Sequence, residues 1–94
     1  MRVCALVLNW KRPDDTLECL RSLREHAPDV DVLVVDNASG DGSVEQILKR
    51  TPGTPILEND RNAGYAGGNN AGIRALLDRR PAAGASLRGT LPTN

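Results

Sequence analysis

Apolar runs and amphipathic stretches alternate along most of the chain. Val3-Cys4-Ala5-Leu6-Val7-Leu8 is continuously apolar and ends in Asn9. Such a run suits a strand buried on both faces, as in a parallel sheet. Pro13 fits a first helical position, where its missing N–H costs nothing. Asp14 and Asp15 complement the positive end of the helix dipole, and Leu20, Leu23 and Ala27 then recur at helical spacing until Pro28. Val30 to Val35 predicts a second strand, cut off by the polar pair Asp36-Asn37. Asn37 to Gly42 is a loop by composition. Ser43 with Gln46 fits a capping box for a short helix whose Val44, Ile47 and Leu48 share one face. Thr51-Pro52-Gly53 breaks that helix, and Pro55 to Glu58 predicts a short third strand. A glycine-rich connection from Asn62 to Gly72 leads into a third helix carrying Ile73, Leu76 and Leu77, closed by Arg79-Arg80-Pro81.

The order β-α-β-α-β-α implies an α/β fold, a Rossmann-like parallel sheet with right-handed crossovers. It occupies 1–81. From Ala82 onward no usable period remains, so 82–94 is expected to be an irregular or disordered tail without a strand.

Composition narrows the picture. The chain has 94 residues, enough for one small domain. It contains no Phe, and its aromatic residues are Trp10 and Tyr65, so the core must come from Val, Leu, Ile and Ala. Twelve basic residues balance twelve acidic ones, which leaves no field to gather nucleic acid. Cys4 and Cys19 lack the spacing of a metal or redox motif and point to a reducing compartment. The apolar runs are too short to cross a bilayer, and the start lacks the parts of a signal peptide. A cytoplasmic protein is expected, with peripheral association at the inner face of the membrane left open.

Ligands of open parallel sheets collect at the carboxyl ends of the strands. The predicted strands end in Asn9-Trp10, Asp36-Asn37 and Glu58-Asn59. For Glu58 and Asn59 the wetness of loops is explanation enough. Asp36 follows four apolar residues and opens a loop of small ones, where a carboxylate can accept from a base imide or a ribose hydroxyl. The segment from Asn62 to Gly72 sets polar side chains among glycines ahead of a helix. By spacing alone it serves equally as a phosphate cradle or as a tightly packed connection. It matches neither a Walker loop nor Gly-x-Gly-x-x-Gly.

Three stretches together carry a resemblance: Val7-Leu8-Asn9-Trp10, Val34 to Ser43, and Asn62 to Ile73. In order and spacing they resemble family 2 glycosyltransferases of the GT-A fold, and most of all the rhamnosyltransferase-like members that build bacterial surface polysaccharides. The resemblance covers about Arg2 to Leu77. It implies a partial GT-A domain that takes a nucleotide-diphosphate sugar as donor and a glycan or lipid-linked molecule as acceptor. Asn9, Trp10, Asp36 and Asn37 would lie near base and ribose. The loop after Asn62, with Gly64, Gly68, Asn69 and Asn70, would close over the nucleotide. Asn37, Ser39 and Asp41 can instead stabilise their own turn, Asp41 as a helix cap.

The family continues into a fourth strand with an Asp-x-Asp motif that holds a divalent metal, Mg or Mn, on the diphosphate. No such motif follows Ala82, so the chain is expected to stop short of it, with no metal ligand and no catalytic residue assignable. Asp29-Val30-Asp31 precedes the second strand and therefore lies at the wrong end of the sheet. His26, alone near a helix end, reads as a surface residue. In the family the first strand is flanked by the second and the fourth. Here it should be an exposed edge that makes the chain marginal, pairs with another copy or chain, or is covered by the tail. The competing readings are a non-catalytic protein, either a truncated relic or a half-domain that binds nucleotide or a partner chain, and, less favoured, a receiver- or flavodoxin-like domain.

Overall fold

The computed structural model describes residues 3–92. Its elements in chain order are β1 (Cys4–Asn9), α1 (Pro13–His26), β2 (Asp31–Asp36), α2 (Ser43–Arg50), β3 (Ile56–Glu58), α3 (Gly64–Asp78) and β4 (Ser86–Arg88). The sheet order is β1-β2-β3-β4. β1, β2 and β3 run parallel, with Asn9 beside Asp36 and Asp36 beside Glu58. The α/β fold with alternating helices and a mostly parallel sheet is thus the one the apolar pattern predicts.

Each face of the sheet has its own core. Val7, Val34 and Ile56 point to one face, where Leu20 of α1 and Val44 and Ile47 of α2 cover them. Leu33, Val35 and Leu57 point to the other, against Ala75 of α3 and Leu91. Alternation along β2 divides Val34 from its neighbours Leu33 and Val35, and all three are fully buried. Each such side chain contributes roughly 1.5–3 kcal/mol of transfer free energy.

Three expectations need correction. The tail does form a strand: β4 pairs antiparallel with β3, Ile56 beside Arg88 and Glu58 beside Ser86. Leu91 beyond it is buried. A three-residue strand is too short to show a period, yet Ala85 and Leu87 pack inward while Ser86 and Arg88 face out. Gly84 and Gly89, both with positive φ, bracket the strand.

The tail also lies at the β3 edge, so it does not cover β1, which remains the open edge among the described residues.

Finally, the glycine-rich segment is helix from Gly64 onward rather than loop. Its glycines answer a packing demand. A Cβ on Gly68 would stand 2.6 Å from Leu8 Cδ1, and one on Gly72 would stand 2.9 Å from Val35 Cγ2. Only residues without a side chain let α3 approach the sheet so closely, at a cost of about 1 kcal/mol each in helix propensity.

The start of α2 departs in detail. Gly42, in the left-handed region, holds the N-cap position, and Ser43 is already helical. Asp41 caps instead: its carboxylate accepts from the Ser43 amide at 3.0 Å and from the Ser43 hydroxyl. Gln46 donates its amide to the Gly42 carbonyl at 3.0 Å and closes no capping box.

Candidate functional site

The carboxyl ends of β1 and β2 deliver a buried polar cluster. Asn9 and Asp36, adjacent in register, are 1% and 3% exposed. Asp36 Oδ1 accepts from Asn9 Nδ2 at 2.8 Å and from Ser39 Oγ at 2.7 Å, while its Oδ2 accepts from the Ser39 amide at 3.1 Å. Asn9 Oδ1 takes the Thr16 hydroxyl at 2.5 Å, which ties α1 to the cluster. Ser39 Oγ receives the Lys11 amide at 2.8 Å. Lys11 and Ala38, both flanking this cluster, adopt positive φ without being glycine. Such backbone costs of order 1–3 kcal/mol each and persists where the surroundings enforce it, often at functional sites.

Asn37 makes a second clasp. Its Nδ2 donates to the Gly64 carbonyl at 2.9 Å, and its Oδ1 accepts from Asn59 Nδ2 at 3.0 Å and from the Ala63 amide at 3.3 Å. Thus Asn37 fastens the start of α3 to the end of β2. Asn62 shapes the same start, its Oδ1 accepting from the Gly64 amide at 2.8 Å. Among the described residues, no buried side-chain polar atom lacks a partner.

Of the residues singled out in the sequence, the structure links Asn9, Asp36, Asn37, Gly64 and Gly68 in one chain of contacts, Gly68 lying against Asn37. Trp10 follows Asn9 directly, half-exposed, with the Lys11 ammonium 5.3 Å from its ring centre. Asn62 stands exposed at the foot of α3. Asn69 and Asn70 sit on α3, half-buried and exposed, outside the cluster. Thr16 escaped sequence reasoning. Its signal was a hydroxyl four residues before Leu20, on the stripe that otherwise carries apolar side chains.

Beside the cluster lies a hollow of about 210 Å³, walled by Asp36, Ser39, Ser43, Glu45 and Glu58. Arg88 of β4 reaches its rim, 2.8 Å from Glu58 and 3.5 Å from Glu45. Three carboxylates against one guanidinium leave an acceptor-rich wall. It suits hydroxyl and imide donors and disfavours phosphate. Oδ2 of Asp36, with a single donor, keeps capacity for another. A larger hollow of about 370 Å³ lies at the amino end of the sheet, lined chiefly by residues such as Leu20, Val30 and Pro55. Arg24, Asp31, Thr54 and Thr90 also line it, but it lies away from the carboxyl ends of the strands where ligands of open parallel sheets collect, so the smaller one is the better candidate.

The fold is an α/β domain with a mostly parallel sheet and a buried polar rim at the carboxyl ends of its first strands. Residues 4–78 match the family described as glycosyl transferase family 2. The chain belongs to that family. No curated protein and no solved structure matches it.

A divalent metal belongs to the chemistry of this family, but the described residues do not fit one. No three His, Cys, Asp or Glu side chains among them converge. Asp36 is engaged by Asn9 and Ser39, and Glu58 by Arg88. Asp31 opens β2 at the opposite end of the sheet. No step is therefore assigned through a metal. Among the described residues no helix is long and apolar enough to cross a membrane.

Proposed function

We propose that this chain supplies the nucleotide-recognising part of a glycosyltransferase that uses a nucleotide-diphosphate sugar. The base and ribose lie along the rim from Trp10 across Asn9 and Asp36 to Glu58, and the start of α3, with Asn62, Gly64 and the following Asn69 and Asn70, borders the same rim. The observation that carries this reading is the Asn9–Asp36–Ser39 cluster beside the acceptor-rich hollow. Donor groups of a base and sugar match that wall, and the Trp10 face offers a stacking surface. The resemblance to rhamnosyltransferase-like members adds a rhamnosyl donor, a glycan or lipid-linked acceptor and a role in surface polysaccharide synthesis. A cytoplasmic site of action, peripheral at the inner membrane face, goes with it.

Calorimetric titration with UDP, GDP and dTDP tests the reading. At least one of them should bind, and Trp10→Ala should weaken it about tenfold, since stacking on an aromatic ring is worth roughly 1–3 kcal/mol per base. Trp10 is half-exposed, so the variant should keep the fold. A folded chain that binds none of the three nucleotides would refute the proposal.

A further inference from the structure

The hollow beside Asp36 has a polarity that discriminates among bases. At about 210 Å³ it falls below the roughly 300 Å³ at which pockets for whole ligands begin, so it receives one part of a nucleotide. The hydroxyl hydrogens on its walls are already committed. Ser39 Oγ donates to Asp36 Oδ1 at 2.7 Å, and Ser43 Oγ donates to Asp41. The lining side chains therefore offer a ligand acceptor oxygens, and Arg88 at the rim is the donor beside them.

Glu58 is the carboxylate best placed to read a base. It neighbours Asp36 in register at the carboxyl end of β3, and its side chain is 26% exposed against 65% for Glu45. Arg88 Nε holds its Oε2 at 2.8 Å, so the carboxylate is oriented before a ligand arrives. Its Oε1 has no partner among the described residues. Asp36, by contrast, already accepts from Asn9 and Ser39. Arg88 gives Nε to Glu58 and Nη2 to Glu45, which leaves Nη1 for an acceptor on the ligand.

Resting on the nucleotide site proposed above, we infer that the base it takes is guanine, read by Glu58 and Arg88. Guanine sets two donors side by side, N1–H and the 2-amino group, which match the two oxygens of one carboxylate. Its O6 stands next to N1 and meets the guanidinium of Arg88. Uracil and thymine carry a single N–H between two carbonyl oxygens, so a carboxylate that accepts from it also faces a carbonyl. Adenine and cytosine set their amino group beside an unprotonated ring nitrogen, with the same conflict. A purine also reaches farther along the rim toward Trp10 than a pyrimidine does.

Calorimetric titration of the full chain with GDP, inosine diphosphate, UDP and dTDP tests the choice of base. GDP should bind about tenfold or more tighter than inosine diphosphate, which lacks only the 2-amino group, because a hydrogen bond to a charged acceptor is worth at least that factor. UDP and dTDP should fall behind GDP by a similar factor. Glu58→Gln replaces one acceptor oxygen by a donor. With circular dichroism unchanged, it should lose GDP about tenfold and gain xanthosine diphosphate, whose 2-carbonyl stands where guanine has its amino group. Inosine diphosphate, UDP or dTDP binding as tightly as GDP would overturn the inference and leave the nucleotide site standing. So would a Glu58→Gln chain that binds GDP like the parent, or one that weakens GDP and xanthosine diphosphate equally. If none of the nucleotides binds, the site itself falls and the choice of base falls with it.

Discussion

One sheet is covered in two different ways. On the α1 and α2 face, large side chains meet large side chains: Leu20, Val44 and Ile47 fill the space above Val7, Val34 and Ile56. On the α3 face the helix comes down on glycine and alanine, Gly68, Gly72 and Ala75, and the sheet's own Leu6, Leu8 and Val35 reach up to it. The first face is held by volume supplied from the helices. The second is held by volume left out of the helix. The difference teaches that a methyl group should have opposite value on the two sides of β2.

Removing volume from the first face should have the largest effect. Ile47 is completely buried between the helices and the sheet. Ile47→Ala should destabilise the chain by about 3–4 kcal/mol, the transfer loss plus the cavity left behind. Urea denaturation at constant slope measures it. A loss below about 1 kcal/mol would mean that α2 is free to collapse onto the sheet, and the contrast between the faces would fail.

Adding volume to the second face comes next. Gly72→Ala improves helix propensity by about 1 kcal/mol, and in an open helix it would stabilise. Here the new methyl meets Val35 Cγ2 at 2.9 Å and Leu6 Cδ2 at 3.2 Å. Val35 is fully buried and stiff at χ1, so it yields poorly. Overpacking of about 1–3 kcal/mol then outweighs propensity, and the net change should be a loss of about 1 kcal/mol. A gain in stability would show that α3 can lift from the sheet, and would remove the reason given for its glycines.

The same contrast governs how much the sequence disclosed. On the first face the apolar stripe of α1 and α2 repeats at helical spacing, because large side chains must face the sheet, and both helices are where the pattern places them. On the second face the packing stripe consists of Gly68, Gly72 and Ala75, which hydrophobic periodicity does not register. Glycine therefore reads as loop, which hides the first turns of α3. β4 is hidden because three residues cannot establish a period, although Ala85-Ser86-Leu87-Arg88 between two glycines alternates correctly. At the site, Asn9 and Asp36 were legible as polar ends of apolar strands, since parallel register brings such ends together. Their mutual hydrogen bonds, and the role of Thr16, depend on where α1 crosses the sheet, which no local pattern encodes.

The smallest expected effect concerns the cap that the glycines around α2 make possible. Gly40 and Gly42, both with positive φ, turn the chain so that Asp41 reaches forward to Ser43. Hydrogen bonds from the Ser43 hydroxyl and amide, aided by Lys11, hold the Asp41 carboxyl below its ordinary value of 3.8. A depressed folded value means that the ionised form stabilises the folded chain above pH 3.8, and that this contribution fades as the pH falls through the lower, folded value. Asp41→Asn keeps an oxygen for the Ser43 amide but cannot titrate. Its urea midpoint should lie slightly below that of the parent at neutral pH, and the gap should close in strong acid as Asp41 becomes protonated. The comparison of parent and variant cancels the titration of every other carboxylate. A gap that stays constant from neutral pH into acid would show that Ser43 is held by the loop backbone alone, and that Asp41 adds no charge-dependent hold on the first turn of α2.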